Sequence, residues 1–116
     1  MKKDFYIIFI FSLTLLSCST KENEFSGIFL GGQIVNPTSR NVTIYKGTRP
    51  LEMFELDEKL RFQKKYDSLA SGIYKLEHLP EYQTLLLEEK DSLWVRINAT
   101  TFDESIVFSG RGAMKN

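Results

Sequence analysis

The sequence predicts an all-β fold, an antiparallel β-sandwich of about seven to eight short strands, on three observations. From Phe25 onward apolar and polar residues alternate with a period of two, and an apolar stripe at helical spacing is hard to find. Turn-forming clusters interrupt the chain roughly every eight to twelve residues, the spacing of a sandwich or barrel. The runs between them are rich in β-branched and aromatic residues, and aromatics make up 13% of the chain. Each ring removes roughly 150–250 Å² from water, which lets so small a domain close a core.

Phe29 to Val35 is the first expected strand, and Gly31-Gly32 inside it signals a bulge or a close backbone approach. Asn36-Pro37-Thr38-Ser39 is a turn cluster. Asn41 to Lys46 follows, with Val42 and Ile44 on one face and Thr43 and Tyr45 on the other. Gly47-Thr48-Arg49-Pro50 breaks the chain before Leu51 to Leu56. Asp57-Glu58-Lys59 turns into Leu60 to Tyr66, where Leu60, Phe62 and Lys64 alternate against Arg61 and Gln63. A loop from Asp67 to Ser71, closed by Gly72, leads to Ile73 to Glu77. After Pro80, Tyr82 to Glu88 carries the apolar run Leu85-Leu86-Leu87. Glu89-Lys90-Asp91 turns into Ser92 to Asn98, with Leu93, Val95 and Ile97 on one face. Ser105 to Ser109 is the last strand, aligning Ile106 and Phe108. No helix is expected within the sandwich. Ser109-Gly110-Arg111-Gly112-Ala113 leaves it through a glycine turn, and residues 110–116 read either as a frayed C-terminus or as the end of a truncated chain.

The first residues read as an address. Lys2 and Lys3 precede Phe5 to Leu16, an apolar run free of charge and too short for a bilayer core that needs about 20 residues. It has the length of a signal-peptide core. Leu15-Leu16-Ser17-Cys18 then resembles a bacterial lipobox, in which the cysteine is acylated and becomes the mature N-terminus. The resemblance implies a signal peptide over 1–17, a lipidated N-terminus and polar tether over 18–24, and the β-sandwich over 25–109. Ser19 is not the aspartate that retains some lipoproteins at an inner membrane, so an outer-membrane anchor facing the periplasm is expected. Glu22 and Glu24 are similar to the acidic residues that promote surface display in some Bacteroidota lipoproteins.

Composition excludes several chemistries. Fifteen basic and fifteen acidic residues give no basic excess for nucleic acid. One cysteine makes neither an internal disulfide nor a Cys-x-x-Cys pair, and a single histidine makes a metal site thin. No cofactor is expected. Asp57-Glu58 and Asp103-Glu104 are adjacent pairs in turn-like segments whose side chains diverge, unlike an acid–base pair. Glu88-Glu89 with Asp91 lacks the glycine-spaced loop of a calcium site and has Lys90 in its midst. Gly110-Arg111-Gly112 lacks the spacing and lysine of a phosphate loop. His78, beside Pro80, is expected at an exposed strand end. What remains is a possible binding face at Trp94 and Arg96, opposite Leu93, Val95 and Ile97, with Tyr82 added to it. Asp67-Ser68-Leu69 and Asp91-Ser92-Leu93 are similar to Bacteroidota O-glycosylation sites, which makes Ser68 and Ser92 candidates for modification.

Gly72-Ile73-Tyr74, Leu87-Glu88-Glu89-Lys90-Asp91-Ser92-Leu93 and Phe102-Asp103-Glu104-Ser105 through Phe108-Ser109-Gly110-Arg111-Gly112-Ala113 carry a wider resemblance. They resemble the N-terminal β-sandwich of Bacteroidota lipoproteins related to the TlpA and ResA thiol-disulfide oxidoreductases. That resemblance implies a lipid-anchored spacer or docking module for a downstream thioredoxin-like domain, with residues 110–116 as the start of the connector to it in a truncated chain. The redox motif of the family lies in that domain, so no catalytic residue carries over and this chain is expected not to be an enzyme. The alternative expectation is a self-standing envelope lipoprotein that binds a glycan, a peptide or an envelope protein.

Overall fold

Alternating burial converts the period-two pattern into two faces per strand. In the computed structural model, which describes residues 27–116, eight strands form two four-stranded sheets. The strands are β1 (Ile28–Val35), β2 (Asn41–Lys46), β3 (Arg49–Glu55), β4 (Arg61–Tyr66), β5 (Gly72–His78), β6 (Glu81–Leu87), β7 (Ser92–Asn98) and β8 (Val107–Arg111). Sheet I has the order β4-β1-β7-β8 and sheet II the order β3-β2-β5-β6. The expected leader, Cys18 and the tether over 18–24 lie outside the described residues.

The inner faces meet in one core. Sheet I contributes Ile28, Leu30, Ile34, Phe62, Leu93, Val95 and Ile97, and sheet II contributes Val42, Ile44, Tyr74, Leu76, Leu85 and Leu87. Each such side chain, removed from water, favours folding by roughly 1.5–3 kcal/mol before the opposing loss of chain entropy.

Three features depart from the expected pattern. First, β1 and β7 run parallel, side by side in the middle of sheet I, while the other strand pairs are antiparallel. A parallel pair needs a long crossover, and here the crossover includes all of sheet II. Alternation in β1 reads the same in either direction, so it carries no sign of this. Second, a helix does occur: a 3₁₀ turn over Ala99–Thr101 leads into the single-turn helix α1 (Phe102–Ser105). The Asn98 side chain accepts from the Thr100 N–H at 3.1 Å, the Ser105 hydroxyl accepts from the Asn98 N–H at 2.8 Å, and Phe102 plugs into the core. The last strand therefore begins at Val107, not Ser105.

Third, the residues expected to start a connector fold onto the sandwich. β8 reaches Arg111, and Ala113–Lys115 form a 3₁₀ turn. The Asn116 amide accepts from the Leu86 N–H at 2.7 Å and donates to the Leu86 carbonyl at 2.9 Å, standing where a neighbouring strand would pair with β6.

Gly31 and Gly32 answer to close approach, not to a bulge. The pairings of β1 with β4 and β7 run through both glycines without a shift, and the register shift falls instead between Ile44 and Tyr45 of β2. Pro50 lies opposite that irregularity on edge strand β3, a place where a strand tolerates proline.

Candidate functional site

Cross-strand register builds the outer face of sheet I in three rows. Arg61, Gln33, Arg96 and Val107 form one; Gln63, Gly31, Trp94 and Ser109 the next; Lys65, Phe29, Ser92 and Arg111 the third. Register partners point to the same side of a sheet. Trp94 thus sits near the centre of a face framed by Arg61, Lys65, Arg96 and Arg111, with no carboxylate in the three rows. The indole is half-buried and lies across Gly31, where a Cβ atom would come within 2.8 Å of Cζ3. The Arg61 guanidinium stands 5.9 Å from the ring centroid. As the sequence indicates, Trp94 and Arg96 share the outer face; Arg61, Lys65 and Arg111 join them from β4 and β8.

Next to this face, Asp57, Glu58, Lys59, Arg61 and Gln63 line a groove of about 410 Å³. Asp57 is committed to the turn: its carboxylate accepts from the Lys59 N–H at 2.8 Å and the Arg61 N–H at 2.9 Å. The Arg61 amide above all holds its pKa below the usual aspartate range. A carboxylate so engaged is a turn acceptor.

Tyr82 does not join Trp94. It lies on β6 of sheet II, whose outer face forms a second surface. There Lys75 Nζ stands 4.7 Å from the Tyr45 ring centroid and 5.3 Å from that of Tyr82. The Tyr45 hydroxyl donates to Glu77 Oε1 at 3.2 Å. Burial first, then the Glu77 hydrogen bond and charge, push the Tyr45 phenol pKa up. Around this stack Met53 (67%), Ile73 (60%) and Tyr82 (59%) are exposed, and Leu79 (65%) lies at its end. Tyr45, Met53, Glu77, Leu79 and Thr43 line most of a groove of about 420 Å³. The signal lay in large apolar residues at outward positions of β3, β5 and β6, but only strand order gathers them on one face.

His78 departs most from expectation: it is 1% exposed, not a solvated strand end. The Thr38 N–H donates to its Nε2 at 3.0 Å, so the ring proton resides on Nδ1, which donates to the Asn41 carbonyl at 2.9 Å. The ring thereby pins the β1–β2 connection to the end of β5. This is a structural histidine.

The other acidic and glycine-rich segments are also structural. Asp91, 5% exposed, accepts from the Glu88 N–H at 2.8 Å and pairs with Lys115 Nζ at 2.6 Å. Lys115 also reaches Glu88 at 3.3 Å. Gly110 and Gly112 both have positive φ, and a Cβ on Gly112 would strike the Asp91 carboxylate at 2.6 Å. Among the described residues no group of His, Cys, Asp and Glu is placed to hold a metal. Ser68 is exposed in the β4–β5 loop, while Ser92 is exposed within β7 between buried Asp91 and Leu93.

The Asp91 hydrogen bond is the leading cause of a Lys115 pKa raised above 10.5. Folding therefore favours the protonated lysine, and the stabilisation is complete below pH 10.5 and lost as pH rises through the folded value. Urea melts across this range should show the advantage of the parent chain over Lys115→Met shrinking only at the alkaline end.

No family model, curated protein or solved structure matches this chain.

Proposed function

We propose that this chain is a lipid-anchored, non-catalytic cell-envelope module that docks a protein partner on the outer face of sheet II. The observation that carries the reading is the exposed set Met53, Ile73 and Tyr82 around the Tyr45–Lys75–Tyr82 stack. Exposed apolar and aromatic side chains interspersed with polar groups on one sheet face are the composition of a protein contact. The partner is a thioredoxin-like domain, in keeping with the resemblance of the sequence, and Cys18 carries the acyl anchor. A self-standing lipoprotein that binds a glycan, a peptide or an envelope protein is the second reading, favoured by the solvent-facing indole of Trp94.

A photo-crosslinking residue in place of Tyr82, in cells that make the acylated protein, tests the docking. The expected result is a crosslink to a thioredoxin-like protein or domain at position 82, weakened at least tenfold by Met53→Ser with Ile73→Ser. Crosslinks only to unrelated envelope proteins would support the second reading, and none at all would overturn the docking face. The anchor is checked separately by the intact mass of the membrane-extracted product, which should show acyl chains at Cys18.

A further inference from the structure

We infer that the outer face of sheet I is a membrane-docking surface that lies on anionic lipid headgroups. The inference rests on the reading of Cys18 as the lipid anchor and adds a second attachment to it.

Charge complementarity selects the occupant. The three outward rows hold Arg61 and Lys65 on β4, Arg96 on β7 and Arg111 on β8. The acidic residues nearest in sequence, Asp57, Glu58, Asp67, Glu89, Asp91, Asp103 and Glu104, lie in the connections at strand ends and in α1, and Asp91 is buried and paired with Lys115. Sheet II differs: its strands mix Glu52, Glu55, Glu77 and Glu81 with Lys46, Arg49 and Lys75. Among the cations of sheet I stand Trp94 and Phe29, with the exposed Val107 at the corner beside Arg96. Guanidinium and ammonium groups around an amphipathic indole are what a headgroup layer accepts: cations meet phosphates, and the ring takes the apolar boundary.

The tether selects a bilayer over a soluble polyanion. Cys18 precedes Ile28, the first residue of central strand β1, by ten positions. Ten residues span at most about 35 Å, so an acylated Cys18 holds the whole domain, this face included, close to the bilayer. The bilayer is then present at high effective concentration, and a surface that binds it weakly in solution binds it well. Acyl chains and a basic surface together give the two signals that stable peripheral attachment requires.

The chain has one tryptophan, Trp94, so its emission reports on this face directly. The test uses the chain from Ser19 onward, which contains every described strand and the whole core but neither the apolar leader nor the acylated cysteine. With phosphatidylcholine vesicles containing one-third phosphatidylglycerol, Trp94 emission should shift to the blue and be quenched by brominated lipid. Pure phosphatidylcholine should leave it unchanged, and about 0.5 M salt should reverse the shift. Arg61→Gln with Arg96→Gln should weaken partitioning on the order of thirtyfold. Lys65→Gln with Arg111→Gln should do the same, so the result stands if one pair impairs folding, which thermal melts report. No shift with anionic vesicles, an equal shift with neutral ones, or a response to heparin but not to vesicles would overturn the proposal. An unacylated native Cys18 would remove the tether and leave the vesicle result intact, so the two readings fail separately.

Discussion

Gly32→Ala is expected to unfold the domain or bring it close to unfolding, with a loss of about 3 kcal/mol or more. Gly32 faces the core from the middle of β1, and a Cβ there would stand 2.4 Å from the Val95 carbonyl oxygen, 2.8 Å from Val95 Cγ1 and 2.9 Å from Phe62 Cε1. The nearest of these is backbone of the parallel neighbour strand and cannot swing away. One methyl must therefore separate β1 from β7 or displace both contacts at once. Gly31→Ala supplies the contrast. Its Cβ would meet the Trp94 ring at 2.8 Å and Gln63 Cβ at 3.0 Å, side-chain atoms on the outer face that can give way where a backbone carbonyl cannot. Urea melts of the two variants should separate them by about 2 kcal/mol, with Gly31→Ala also altering Trp94 emission. Equal stabilities would show that β1 and β7 are not held this closely.

His78→Leu is expected to cost about 2–4 kcal/mol although it places an apolar side chain in a buried position. Leucine reproduces most of the volume but neither hydrogen bond, so the Thr38 N–H and the Asn41 carbonyl lose their partner. One group lies in the β1–β2 connection and the other opens β2, so the damage should concentrate there. Hydrogen exchange at Thr38 should quicken well before the amides of β7 do. Uniform acceleration of all amides would mean that His78 contributes only bulk.

These two cases mark where the sequence is readable. Alternation of apolar residues sufficed for β2 and β7, whose bounds were expected as found, because burial of one face imposes a period of two wherever a strand lies in the fold. It could not reveal that β1 pairs parallel with β7, since side-chain alternation has no direction. The helix α1 is a single turn, too short for a period to register, and it rests on Asn98, Ser105 and buried Phe102. His78 is not legible because one polar residue at a strand end looks solvated until its partners are brought in from Thr38 and Asn41. The surfaces follow the same rule. Trp94 and Arg96 share a face by local spacing alone, but Arg61 and Arg111 join them only through the register of β4 and β8. Tyr82 was grouped with them on residue type, and strand order moves it to the other sheet.

The parallel pairing at the heart of sheet I also orders events in time. Leu30 meets Leu93 across 63 positions of chain, whereas the β2–β3 and β5–β6 hairpins close within their own neighbourhoods. During synthesis β1 emerges before either hairpin and has no central neighbour until β7 follows. The hairpins of sheet II can collapse in microseconds, but β1 must wait, apolar edge open, for a loop closure whose entropy no local contact offsets. The late seating of β7 against β1 is therefore expected to be the slow step of folding, and the interval most open to misassembly between nascent chains.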